Sequence, residues 1–152
     1  MLYLFVGPSC SGKSTAANYL KDGLKARIYS GKDYIRLAKN EPDAWIFFKA
    51  KLQEATDGDT NIIYILTEVE RFQEVVLIGE MKVFNFRADL SILKQRFSKR
   101  TGGVVPLPLE NMLKNQVASW ENITVQYDID TGTLSVEEVR EKLHEIFQQW
   151  IY

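Results

Sequence analysis

The stretch from Gly7 to Thr15 reads Gly-Pro-Ser-Cys-Ser-Gly-Lys-Ser-Thr and follows directly on the apolar run Leu2-Tyr3-Leu4-Phe5-Val6. A lysine and two hydroxyls behind a glycine-bounded loop form an arrangement for holding phosphate. Gly7 and Gly12 permit backbone angles and close approaches that a Cβ forbids, so the N–H groups between them can converge on one anion. A helix opening after the loop aims its partly positive end at the same spot. Lys13 is then placed to reach the β- and γ-phosphates of a nucleoside triphosphate, and the Ser14 hydroxyl to ligate Mg²⁺. Gly7, Pro8, Ser9, Cys10, Ser11, Gly12, Lys13, Ser14 and Thr15 are all nucleotide-binding candidates on this reading. Cys10 itself reads as a small tolerated residue.

Moving a phosphoryl group demands positioning and positive charge more than covalent chemistry. Arginine suits the task, because its planar fork binds phosphate oxygens in pairs and keeps its charge. Arg36 lies one helical turn after Asp33, Arg71 follows the third apolar run, and Arg96 and Arg100 are spaced i, i+4. Among the acids, Asp33 suits metal support through water or proton abstraction from an acceptor hydroxyl, and equally suits capping the next helix. Asp89 reads as a plain N-cap. Glu68 sits near the place for a metal-supporting acid, while Thr67 ends the strand where an aspartate is expected. His144, the only histidine, falls on a polar helix face and reads as non-catalytic.

These residues must be carried by elements that bring them together. Fully apolar strands are read at residues 2–6 and 61–66, a short one at 27–29, and two more at 81–86 and 123–129. Helical spacing appears from the loop to Leu24, from Asp33 to Lys39, and from Pro42 with Trp45, Phe48, Leu52 and Ala55 on one face. A short helix or turn covers Glu68 to Leu77. Further helices are read from Asp89 through Leu90, Leu93 and Phe97, from Glu110 to Trp120, and after the capping box Ser135-x-x-Glu138, with Val139, Leu143 and Phe147 inward. Thr101 to Pro108 (Thr-Gly-Gly-Val-Val-Pro-Leu-Pro) is the one conspicuous loop and reads as a short lid, hinged at Gly102 and Gly103. Trp45, Trp120 and Trp150 read as packing residues. Alternating strands and helices predict an α/β fold of about five parallel strands with helices on both faces. Such sheets bind ligands outside the carboxyl ends of their strands, which is where the candidate residues fall.

The 152 residues suit one domain, residues 1–152, and 45% apolar residues supply its core. A net charge of −1 argues against a nucleic-acid partner, and no run approaches the length of a membrane span. One cysteine leaves no internal disulfide, and with one histidine it excludes a His/Cys zinc site. The expected setting is the cytoplasm, with no signal peptide at the Leu2–Val6 run and with the oligomeric state left open.

The phosphate loop, together with the placement of the arginines, resembles the small P-loop kinases, in particular the nucleoside monophosphate kinases of the adenylate kinase type. The Gly-Pro-Ser opening is similar to the guanylate kinase loop. Ser30–Arg36 resembles the segment that lays an arginine, here Arg36, on the acceptor's phosphate. Thr67–Arg71 falls where the family places a second such arginine, Arg71. Arg96 and Arg100 resemble the pair that opens the lid (about 100–108) and embraces ATP, and Asp130–Arg140 is similar to the last strand, the adenine-side loop and the closing helix. The resemblance thus implies a P-loop three-layer fold with ATP and Mg²⁺. Lys13, Asp33, Arg96 and Arg100 would be catalytic, and Asp33, Arg36 and Arg71 would face a small-molecule acceptor.

There are departures. No arginine occurs between Thr101 and Val139, and the lid is brief. In size and lid the chain looks more like shikimate or gluconate kinases, which phosphorylate a hydroxyl. The stretch from Pro106 to Gln116 is loosely similar to gluconate kinase. The first reading is a kinase of a nucleoside monophosphate, the second a kinase of a small hydroxylated metabolite. A catalytically weak nucleotide-binding module is the reading from another class. The Asp-x-x-Gly and Asn-Lys-x-Asp signatures of a GTPase do not occur.

Overall fold

β1 (Leu2–Val6) is apolar at every position because it is buried on both faces, with Leu2, Leu4 and Val6 on one side and Tyr3 and Phe5 on the other. It is the centre of the sheet. In the computed structural model, which describes the backbone of residues 1–151 and side chains through residue 148, five parallel strands take the order β2-β3-β1-β4-β5. The others are β2 (Arg27–Ser30), β3 (Ile62–Leu66), β4 (Lys82–Arg87) and β5 (Tyr127–Asp130). Leu2 to Val6 pair in register with Ile62 to Leu66, so the two fully apolar strands lie side by side.

The helices divide between the faces by their apolar stripes. α2 (Glu41–Thr56) and α3 (Val69–Val75) pack on the Leu2/Leu4/Val6 side through Phe48, Leu52, Phe72 and Val75, joined by Trp120 of α5 (Leu107–Trp120). α1 (Lys13–Leu24) and α6 (Val136–Ile151) cover the Tyr3/Phe5 side through Ala16, Ala17, Leu143 and Phe147. α4 (Leu90–Thr101) buries Leu93. The capping box forms as read: Ser135 N–H donates to Glu138 Oε1, and Glu138 N–H to Ser135 Oγ, each at 3.1 Å. Asn40 caps α2 by accepting from Asp43 N–H, with Pro42 in the first turn. The side chain of Trp150 lies outside the described residues.

Several boundaries differ from the sequence reading. Asp33–Leu37 forms a 3-10 helix, and an extended Ala38 ends it before Lys39. β5 begins at Tyr127 rather than near Ile123, because the side chain of Gln126, not backbone, accepts the Val83 N–H at 3.2 Å. Asp89 occupies the N-cap position of α4, but its carboxylate makes no capping bond. Thr101 still belongs to α4 and Leu107 opens α5, ahead of the expected Glu110, so the lid loop contracts to residues 102–106. A capping-type loop is sufficient there: Gly102 and Gly103 both have positive φ (84° and 106°), and Gly103 N–H closes onto Ser98 O at 2.8 Å.

Phe48 concentrates the packing of the α2 face. It is fully buried, and its ring meets those of Tyr29, Tyr34, Trp45 and Tyr64 at centroid distances of 4.9 to 6.0 Å. Phe48→Ala opens a cavity that four rigid rings cannot fill. It should lower the unfolding free energy by about 3–5 kcal/mol in urea titrations at an unchanged m-value.

Candidate functional site

β1 and β3 are neighbours, yet the chain leaves them for opposite faces, to α1 after β1 and to α3 after β3. A crevice therefore opens beyond their carboxyl ends. The loop 7–12 fills one wall of it. Gly7 has φ +139°, and a Cβ there would lie 2.3 Å from the Phe86 carbonyl oxygen. The close approach that demands glycine is thus to β4, beneath the loop. Gly12, at φ +97°, ends the loop as the N-cap of α1, and Cys10 takes φ +65° without being glycine.

Lys13 crosses the crevice. Its ammonium donates to the carbonyls of Gly7 and of Pro8 (2.8 Å) and to Thr67 Oγ1 at the end of β3 (3.1 Å). An ammonium has three N–H donors, so all are engaged. Burial pushes its pKa down to about 7, with repulsion from Arg100 adding to the effect and Cys10 opposing it. Thr67, standing where an aspartate was expected, is therefore the lysine's anchor. Thr67 is held in turn by the Trp120 indole N–H, which donates to its carbonyl at 2.8 Å. Ser14 and Thr15 are exposed in the first turn of α1.

On the α1/α6 side of the loop lies a cavity of about 360 Å³. Ala16, Leu134, Val139 and Leu143 give it apolar walls, and Arg96, Lys99, Arg100 and Arg140 border it without any carboxylate. Arg140 stacks over the Tyr19 ring at 5.0 Å. Arg96 is already committed. It donates to Cys10 O and Thr131 Oγ1, both at 3.0 Å, and to Thr131 O at 2.6 Å. Thr131 Oγ1 donates to Ser11 O at 2.7 Å, so the pair braces the phosphate loop against the end of β5. Arg100, one turn on, is exposed and its guanidinium has no bonding partner among the described residues.

On the other side is a smaller cleft of about 200 Å³, bordered by Ser30, Lys32, Thr67, Glu68 and Arg71. Arg71 is preorganised. Its guanidinium lies 4.0 Å from the Trp45 ring centroid, donates to Tyr34 Oη at 3.0 Å, and reaches Glu74 at 3.4 Å. Tyr34 in turn donates to Glu41 at 2.9 Å, and burial together with that bond raises its pKa, so the phenol keeps its proton. Asp33 is exposed and accepts the Ser30 N–H at 2.9 Å, shaping the turn that borders this cleft. Arg36 is exposed, does not line the cleft, and has no hydrogen bond or ion pair among the described residues.

The structure thus places Arg96 and Arg100 at the larger cavity, Arg71 at the smaller cleft and Lys13 between the loop and the end of β3, and leaves Arg36 outside both. Tyr34, Trp45, Thr67, Gln116 and Thr131 join the site only in the fold, because each acts through a contact distant in sequence. Gln116 is the plainest case: its Oε1 accepts the Ser9 N–H of the phosphate loop at 2.9 Å, across 107 positions.

No family model matches this chain, and no curated protein matches it by sequence. Solved structures do match in fold. A protein of uncharacterised function from Eubacterium ventriosum aligns at TM-score 0.72 and 14% identity, covering 97% of this chain and 98% of its own. A gluconokinase from Sinorhizobium meliloti aligns at TM-score 0.64 and 17% identity, covering 97% and 91%. A shikimate kinase from Acinetobacter baumannii, solved with shikimate, aligns at TM-score 0.62 and 16% identity, covering 99% and 92%. The chain has the fold of the small P-loop kinases.

The depressed Lys13 pKa predicts that phosphate binding at this loop depends on pH. Burial lowers the pKa of this lysine in the free protein to about 7, and phosphate oxygens beside it would raise it again, so binding above that pH should take up a proton. ADP affinity should be flat below about pH 7 and then fall, by up to about tenfold per pH unit, toward pH 9. Calorimetry in buffers of different ionisation enthalpy will register the proton, and Lys13→Met should abolish both the slope and the uptake.

Proposed function

We propose that the protein is an ATP-dependent phosphotransferase that passes the γ-phosphoryl group to a small anionic acceptor. The supporting observation is the position of Lys13, pinned between the phosphate loop and Thr67, with the 360 Å³ cavity on one side and the Arg71 cleft on the other. In this reading the cavity takes the nucleotide's base and ribose, and the loop takes the β-phosphate. Lys13 exchanges its loop carbonyls for phosphate oxygens. Arg100 offsets charge on the group in flight. Ser14 Oγ, an exposed hard oxygen, would hold a Mg²⁺ bound with the nucleotide, which would supply charge neutralisation to the phosphates.

Of the two acceptor classes, the cleft favours a small hydroxylated acid over a nucleoside monophosphate. Arg71 is the one arginine bordering it among the described residues, and a single bidentate fork matches a carboxylate. The rings of Tyr34 and Trp45 pack against Arg71, and neither lines the cleft as a platform for a base. The neighbouring gluconokinase and shikimate kinase are named for acceptors of the hydroxylated-acid kind. Glu68 lines the cleft itself, and Asp33, which accepts the Ser30 N–H at its border, is the carboxylate assigned to the acceptor hydroxyl.

An ATP-consumption screen over gluconate, shikimate, neutral sugars and nucleoside monophosphates tests this. Turnover with an acid and silence with neutral sugars is the expected result. Turnover with a nucleoside monophosphate alone would restore the other acceptor, and silence throughout would favour a non-catalytic nucleotide-binding module. With the productive acceptor, Arg71→Ala should raise the acceptor KM by roughly tenfold or more with kcat little changed, whereas Arg100→Ala should lower kcat by roughly a hundredfold. Equal effects of both on acceptor KM would contradict the division of roles.

A further inference from the structure

We propose that Gln116 is a γ-phosphate-contacting residue of the site, its carboxamide fixed by Ser9 so that the NH₂ group donates to the terminal phosphate of the bound triphosphate. The inference rests on the kinase reading above. The Ser9 N–H donates to Gln116 Oε1 at 2.9 Å, which settles the orientation of the amide, since only the oxygen can accept. The two N–H donors of Nε2 have no partner among the described residues, and the side chain is half-buried beside the loop. The carboxamide is held by its oxygen, and its two N–H donors, open to water beside the phosphate loop, are free to take a phosphate oxygen in water's place.

The helix that presents it is fixed as well. Trp120, one turn after Gln116, is buried and bonds the Thr67 carbonyl, and Thr67 holds Lys13. Gln116 and Trp120 therefore anchor the same face of α5 to both walls of the crevice, at the phosphate loop and at the end of β3. α5 carries no arginine; its only cation, Lys114, is exposed. A neutral donor is then what this helix supplies to the developing charge. Ser9 lies at the start of the loop, ahead of the residues that run into α1, so a ligand of Gln116 sits toward the outer end of the phosphate chain.

The test is nucleotide binding by calorimetry with ADP and with a non-hydrolysable ATP analogue, which needs no acceptor. Gln116→Glu keeps an oxygen for Ser9 and replaces the NH₂ with a second anionic oxygen; Gln116→Ala removes both. The expected result is ADP affinity within about threefold of wild type in both variants. The ATP analogue should weaken by roughly tenfold in Gln116→Ala and by more in Gln116→Glu, through lost donors and added repulsion respectively. Equal weakening of the two nucleotides would mean a merely structural brace and would overturn the proposal, as would unchanged binding of both. A wild-type protein that binds neither nucleotide would overturn the kinase reading, and this inference with it.

Discussion

The position of the Lys13 ammonium orders the rest of the site. It sits where β1 and β3 send their chains to opposite faces, and it closes that gap by donating to Gly7, Pro8 and Thr67. A buried ammonium is costly unless its donors are met, and here three oxygens meet them. The consequence reaches outward. Thr67 must stay at the end of β3, so Trp120 holds its carbonyl; Trp120 fixes α5, and α5 delivers Gln116 to Ser9.

The same logic explains why the loop is braced from its other side. Its backbone carbonyls at Cys10 and Ser11 point away from the anion nest and need donors. Arg96 and Thr131 provide them, joining the loop to the end of β5. Arg96 thereby spends its guanidinium on protein oxygens, while Arg100 keeps its own free. Two arginines one turn apart on the same helix do different work because only one of them meets backbone carbonyls at hydrogen-bond distance.

Beside the Arg71 cleft, rigidity comes from aromatic packing. Arg71 lies over Trp45 and is tied to Tyr34, which is itself stacked on Phe48 in the core. A guanidinium held this way loses little side-chain entropy on binding an anion. Arg36, exposed on the same 3-10 helix as Tyr34 and without a hydrogen bond or ion pair among the described residues, has no such advantage.

The sequence by itself determined the phosphate loop, the two fully buried strands, the order of the elements and the capping box at Ser135. All of these depend on local chemistry: glycine's freedom, an unbroken apolar run, a hydroxyl and a carboxylate three residues apart. It also drew attention to Thr67 and to Arg71 at the end of β3. Tertiary structure alone decided that Thr67 anchors the lysine, that Arg71 is caged while Arg36 is not, that Arg96 braces and Arg100 is left free, and that Gln116 reaches the loop. The short start of β5 belongs here too, since a glutamine side chain replaces backbone in the ladder. Each of these is a contact between residues far apart in the chain. No periodicity or spacing encodes such a contact until the sheet order places the strand ends together.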